Sequence, residues 1–214
     1  MTNMEDSFHG VELIKDYHVC IGLHVNISTG FPLTDPALIP SLVSETGEFK
    51  SSKQYRSASE DFVNYEQVLL EVEAQYLKFV ELVGRKPEYF EGHAVASANF
   101  FKALEAIASK YGCDYLPVGF DGTATFKKQK LSVYMDSMKA DYDPLLTLKK
   151  CVTEIHENEI GMLVLHPGYV DDYLLNHSTL TYARELEVAM VEDKDTKEWL
   201  EQSGVKLISY RDIS

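Results

Sequence analysis

Residues 19–27 read Val19-Cys20-Ile21-Gly22-Leu23-His24-Val25-Asn26-Ile27. The run is rich in β-forming residues and nearly continuous in its apolarity, which is the pattern of a strand covered on both faces. A second run of this kind, Met162-Leu163-Val164-Leu165, ends in His166-Pro167-Gly168. Shorter runs at 115–118, 131–135 and 205–210 also read as strands. Helical periods lie between them. Met4, Phe8, Val11 and Ile14 predict a helix over 4–16. Val63, Val68, Leu69, Val72, Tyr76, Phe79, Val80 and Val83 predict one over 60–83, closed by Gly84 and Pro87. Further helices are predicted over 100–111, 144–158, 180–192 and 196–203. Repeated strand-then-helix units predict an α/β fold with a parallel sheet, open or closed as a barrel. Gly30, Pro32, Pro36, Pro40 and Gly47 punctuate residues 28–57, so that stretch reads as a long structured loop over the end of the first strand.

The 214 residues are 45% hydrophobic and 25% charged, which suits one globular domain over 1–214 and excludes disordered and fibrous classes. The net charge of −14, with no basic block, argues against nucleic acid and against an anionic membrane surface. Small uncharged molecules and cationic metals are the partners this charge admits. Cys20, Cys113 and Cys151 fit neither a redox pair nor a zinc ribbon and read as reduced, buried residues of a cytoplasmic protein. Acids occupy the N-terminus where a signal peptide carries positive charge, and no apolar run approaches the ~18 residues of a membrane helix. A soluble, unexported chain is expected.

In parallel α/β folds ligands bind beyond the carboxyl ends of the strands. His24 in Gly22-Leu23-His24, His93 in Glu91-Gly92-His93 and His166 in His166-Pro167-Gly168 each stand at such an end. Imidazole nitrogen ligates divalent ions, and its aqueous pKa near ~6.5 also suits proton transfer. The residues alone leave both roles open. Ser97, Ser132 and Ser178 lack the Gly-x-Ser-x-Gly elbow of a serine hydrolase, and no glycine-rich phosphate loop is present. Asp121-Gly122-Thr123 and Asp171-Asp172 read as turns, although Asp171-Asp172 could also orient His166 or bind a cation. His9, His18, His156 and His177 read as surface residues. Glu185, Glu187, Glu192, Asp193 and Asp195 read as a solvated face.

Gly22-Leu23-His24-Val25-Asn26-Ile27, followed by Gly30-x-Pro32-Leu33, Ile39-Pro40-Ser41-Leu42-Val43 and Gly47-x-Phe49, resembles the early motif of the YdjC-like carbohydrate deacetylases, which include chitooligosaccharide deacetylase. The resemblance continues through Glu73-x-Gln75, Gly84-x-x-Pro87, His93, His166-Pro167-Gly168-Tyr169-Val170-Asp171, Tyr182-x-Arg184-Glu185 and Leu207-Ile208-Ser209-Tyr210-Arg211-Asp212. It implies a distorted (β/α) barrel of the glycoside hydrolase/deacetylase type that removes N-acetyl groups from acetylated amino sugars or oligosaccharides. It also implies a divalent metal, Mg²⁺ or Zn²⁺, held by one Asp and two His. His24 and His93 match the metal-ligand positions, and His166 the acid/base near the leaving amine. A homodimer is the family expectation.

Two departures stand out. The family opens with a strand ending in paired aspartates, which supplies the metal-binding Asp and the general base, and nothing equivalent precedes residue 4. The barrel is therefore expected to be incomplete at the N-terminus. A segment that carries alternating histidines in the family reads His93-Ala94-Val95-Ala96-Ser97 here. Two imidazoles without a carboxylate make a poor site for hard cations, so weak metal binding and impaired deacetylase activity are expected. The rival expectations are a non-catalytic carbohydrate-binding or assembly remnant of the same fold, and isomerase or glycosidase chemistry drawing on Glu91, Asp136 or Asp171-Asp172.

Overall fold

The structure is a computed structural model that describes residues 1–117 and 121–214. The chain divides into two compact units, Met1–Val118 with Ser209–Ser214, and Gly119–Ile208. Along the first run α1 (Ser7–Ile14), β1 (Leu23–Val25), α2 (Ser52–Ser57), α3 (Tyr65–Val83), β2 (Tyr89–Gly92), α4 (Ala98–Lys110) and β3 (Asp114–Tyr115). The second holds β4 (Thr123–Phe126), β5 (Gln129–Tyr134), α5 (Pro144–Glu154), β6 (Ile160–Leu163), α6 (Asp172–His177), α7 (Tyr182–Glu192) and α8 (Lys194–Gln202).

The α/β class is as the sequence predicts. In the first unit the sheet is parallel throughout, in the order β1-β2-β3. Leu23, Val25, Phe90, Val72, Phe79, Phe100 and Leu104 are among the buried residues of its core. Helix α3 starts at Asn64, whose side chain accepts from the Gln67 amide, and ends at Gly84 with φ 74°. That left-handed conformation suits glycine and closes the helix where the sequence predicts. Ser97 caps α4, accepting from the Phe100 amide, while its hydroxyl donates to Asp61. It is a capping residue.

The polar interior of this unit holds the first strand and the long loop together. Gln75, buried on α3, offers Oε1 to the Asn26 amide and donates Nε2 to the Asn26 carbonyl, taking the part of a neighbouring strand where β1 ends. Glu71, one turn earlier and also fully buried, accepts from Gln75 Nε2 and from the amides of Leu33 and Thr34. The loop is thus tied to α3 by its backbone, and it contains a 3₁₀ turn at Pro36–Leu38 and the helix α2.

Several elements differ from expectation. The first strand is three residues rather than nine, because only Leu23–Val25 runs alongside β2. Residues 123–126 form a strand, β4, that the sequence did not signal. It pairs antiparallel with β5, so the second sheet, in the order β4-β5-β6, is mixed rather than parallel. Residues 205–209 form no strand: Leu207 is 76% exposed, and the segment ends in a 3₁₀ turn at Tyr210–Asp212. An apolar run becomes a strand only where a neighbour receives its backbone groups. Of the strand expected over 115–118, Tyr115 is in β3, and Val118 lies outside the described residues.

Candidate functional site

Parallel pairing sets Leu23 beside Phe90, His24 beside Glu91 and Val25 beside Gly92. The His93 amide continues the ladder, donating to the Val25 carbonyl at 2.8 Å. Side chains alternate across a strand. Leu23, Val25 and Phe90 therefore face the core, while His24, Glu91 and His93 share the opposite face. His24 stands diagonally between its two neighbours. Its Nδ1 lies 2.9 Å from Glu91 Oε1 and its Nε2 lies 3.0 Å from His93 Nδ1. The two rings meet edge to face, with centroids 5.1 Å apart.

On the core face, Gly92 lets β2 approach α4. A Cβ there would fall 2.8 Å from Phe100 Cε1 and 3.0 Å from Leu104 Cδ1. Ala94, just beyond His93, has φ 49°, a conformation uncommon for a residue with a Cβ. It turns the chain out of the sheet towards the Ser97 cap.

The two facing nitrogens test the fit of an ion directly. Nitrogens bound at about 2.1 Å on one ion stand about 3.0 Å apart at right angles and about 3.4 Å apart at the tetrahedral angle of zinc. The His24–His93 separation of 3.0 Å equals the first and falls a few tenths of an ångström short of the second, so the rings fit a divalent ion after a small parting. Glu91 is directed at the other nitrogen of His24 and does not reach the same point. Among the described residues no group of three or more His, Cys, Asp or Glu is gathered to hold a metal. The side chains this face brings together are two imidazoles, His24 and His93, with Glu91 on the far side of the His24 ring.

In the second unit His166 follows β6 after two residues. Its backbone is held at both ends: the amide donates to Glu187, and the carbonyl accepts from Arg184 Nη1 at 3.1 Å. Ser137 Oγ lies 3.4 Å from its Nδ1. Glu187 is fully buried and also accepts from the Tyr142 hydroxyl at 2.8 Å. Burial, followed by that hydrogen bond, pushes the Tyr142 phenol well above its ordinary pKa. The assignment of Glu187 to a solvated face is therefore corrected. On α7 it shares a side with Arg184 and with buried Met190, at helical spacings of three. That spacing was the available signal. Glu185 also turns back, accepting from the Val170 amide at 3.3 Å. Asp171 caps α6, accepting from the Leu174 amide at 2.8 Å. His9, His18, His156 and His177 are exposed, as expected.

Glu91 is the site residue that sequence reasoning undervalued. It read as a strand-end acid for a rival chemistry, whereas the register makes it the partner of His24. The Glu91-x-His93 spacing already put both side chains on one face.

The family described as YdjC-like protein matches residues 1–202. Carbohydrate deacetylase 2 of Listeria innocua is 29% identical over 217 residues, spanning 100% of this chain and 85% of the relative. The carbohydrate deacetylase of Geobacillus stearothermophilus is 27% identical, spanning 100% of this chain and 84% of the relative. A solved structure from Enterococcus faecalis V583, described as a cellobiose-phosphate cleavage protein, superposes with a TM-score of 0.81 at 22% identity, covering 100% of this chain and 86% of that one. That likeness extends the agreement to the fold. With its sequence matched from residue 1 to residue 202, the chain belongs to the YdjC-like family.

Proposed function

We propose that the protein is a metal-dependent hydrolase that removes N-acetyl groups from acetylated amino sugars or oligosaccharides, with low turnover in this polypeptide. The observation that carries the reading is the 3.0 Å approach of His24 Nε2 and His93 Nδ1 on one face of the first sheet. The names of the relatives, carbohydrate deacetylases, supply the substrate class.

His24 and His93 are the metal ligands in this reading. A divalent ion held between them would polarise the acetyl carbonyl and lower the pKa of a water. Water adds to the acetyl carbon and gives up a proton to bulk solvent, the C–N bond breaks, and acetate leaves. The residue this reading assigns to protonating the departing amine nitrogen is His166, by its match to the acid/base position of the family. Glu187 and Arg184 hold the His166 backbone at its amide and its carbonyl. Imidazole donors suit Zn²⁺ better than Mg²⁺, which prefers oxygen. With no group of three or more ligands gathered among the described residues, affinity for either ion is low in this reading, and turnover is low with it.

The test is acetate release from N-acetylated chito-oligosaccharides by the purified chain supplied with Zn²⁺ or Mg²⁺. Slow release that a chelator abolishes, and that His24→Ala abolishes, is the expected result. Rapid release unaffected by chelator would overturn metal dependence. No release at any metal concentration, with oligosaccharide binding retained, would favour a carbohydrate-binding remnant of the same fold.

A further inference from the structure

We infer that Glu91 is a positioning residue for metal binding: its carboxylate fixes His24 as the Nδ1–H tautomer, so that the Nε2 lone pair is aimed at the point shared with His93. The inference deepens the deacetylase reading and rests on it for the identity of the ion. The geometry itself stands apart from that reading.

A carboxylate has only acceptor sites to offer, so the nitrogen 2.9 Å from Glu91 Oε1 must carry the proton. The opposite nitrogen, 3.0 Å from His93, is the one left to bind an ion. Carboxylates behind metal-ligating imidazoles act this way in general: they set the tautomer, fix the ring plane and raise the basicity of the ligating nitrogen. Here the arrangement follows from pairing alone. The register sets His24 beside Glu91, and pleating puts His93, two residues on, on the same face. Glu91 is about a third exposed at its side chain, so its carboxylate retains water contact and stays near His24 without a buried charge. In a site with two imidazole ligands, the orientation of each ring has a greater share in the affinity than in a fuller cage.

The experiment uses the full chain stripped of metal, with Glu91→Gln and Glu91→Leu. Glutamine keeps an oxygen that accepts from Nδ1–H; leucine removes it. Long-range ¹H–¹⁵N correlation spectra of the imidazoles report the tautomer of His24, and titration with Zn²⁺ reports affinity. In the parent, His24 should be the Nδ1–H form. Glu91→Leu should shift it towards the Nε2–H form and weaken Zn²⁺ by about 10- to 100-fold, with Glu91→Gln between the two. An Nε2–H tautomer in the parent overturns the inference, as does parental tautomer and affinity in Glu91→Leu. If Glu91→Leu fails to fold, the near-isosteric Glu91→Gln and the parent spectrum still decide. A parent that binds no Zn²⁺ but shows the Nδ1–H form would count against the metal reading while leaving the orienting role of Glu91 standing.

Discussion

At the scale of single residues, the buried carboxylate Glu71 links loop, helix and strand. Burial raises its pKa, against the hydrogen bonds from Gln75, Thr34 and Leu33 that lower it. A carboxyl raised in this way binds its proton more tightly in the folded state. Its contribution to stability therefore declines as pH rises from the ordinary carboxyl range, near ~4.3, through the folded value. Glu71→Gln should flatten that decline, which urea unfolding at a series of pH values would register as a shallower slope; a parental slope would refute it. Glu71→Ala leaves the Leu33 and Thr34 amides and Gln75 Nε2 without this acceptor. It should cost about 2–4 kcal/mol at neutral pH, read from the same unfolding curves. Glu187 invites the same treatment in the second unit. Glu187→Ala, by freeing the His166 amide and the Tyr142 hydroxyl, should lower kcat for acetate release more than it raises KM. A change confined to KM would remove Glu187 from the proton-transfer step.

At the scale of elements, the close passage of β2 over α4 depends on Gly92. The methyl of Gly92→Ala would crowd Phe100 and Leu104, and overpacking of this kind costs about 1–3 kcal/mol. Because Gly92 sits between Glu91 and His93, relief of the clash must move both. Zn²⁺ affinity should then fall together with stability, and calorimetric titration alongside urea unfolding would show it. Loss of stability with parental Zn²⁺ affinity would mean that the strand absorbs the strain elsewhere. Gly161 plays a similar part in the second unit, where an added Cβ would fall 2.6 Å from Cys151 Sγ on α5. Both glycines lie inside strands, where their value is the absence of a side chain rather than freedom of φ.

At the scale of the whole molecule, the chain returns at its end to the first unit, and Arg211 makes that closure. Its Nε and Nη2 donate to the two carboxylate oxygens of Glu88 at 2.8 and 2.6 Å, and Nη2 also donates to the Val19 carbonyl at 2.6 Å. Burial alone would raise the Glu88 pKa, but hydrogen bonds from Arg211, Cys20 and Arg85 hold it at about 2. A carboxyl depressed in the folded state contributes stability above its ordinary value near ~4.3 and loses it as pH falls towards about 2. Arg211→Ala should therefore move the midpoint of acid unfolding to higher pH, as followed by circular dichroism. An unchanged midpoint would show that Arg85 and Cys20 suffice.

The sequence by itself determined the α/β class, the helix end at Gly84, the long loop after the first strand, and the histidines at strand ends. These depend on local period, local propensity and residue type, all of which can be read along the chain. Only the tertiary structure decided that His24 lies between Glu91 and His93, that Glu187 is interior, that residues 123–126 pair as a strand and that residues 205–209 do not. Each of those outcomes depends on which backbone receives a hydrogen bond or which side chain is covered by another element. Partners far apart in sequence supply both, and a one-residue change of register between β1 and β2 would turn the same histidine to the opposite face.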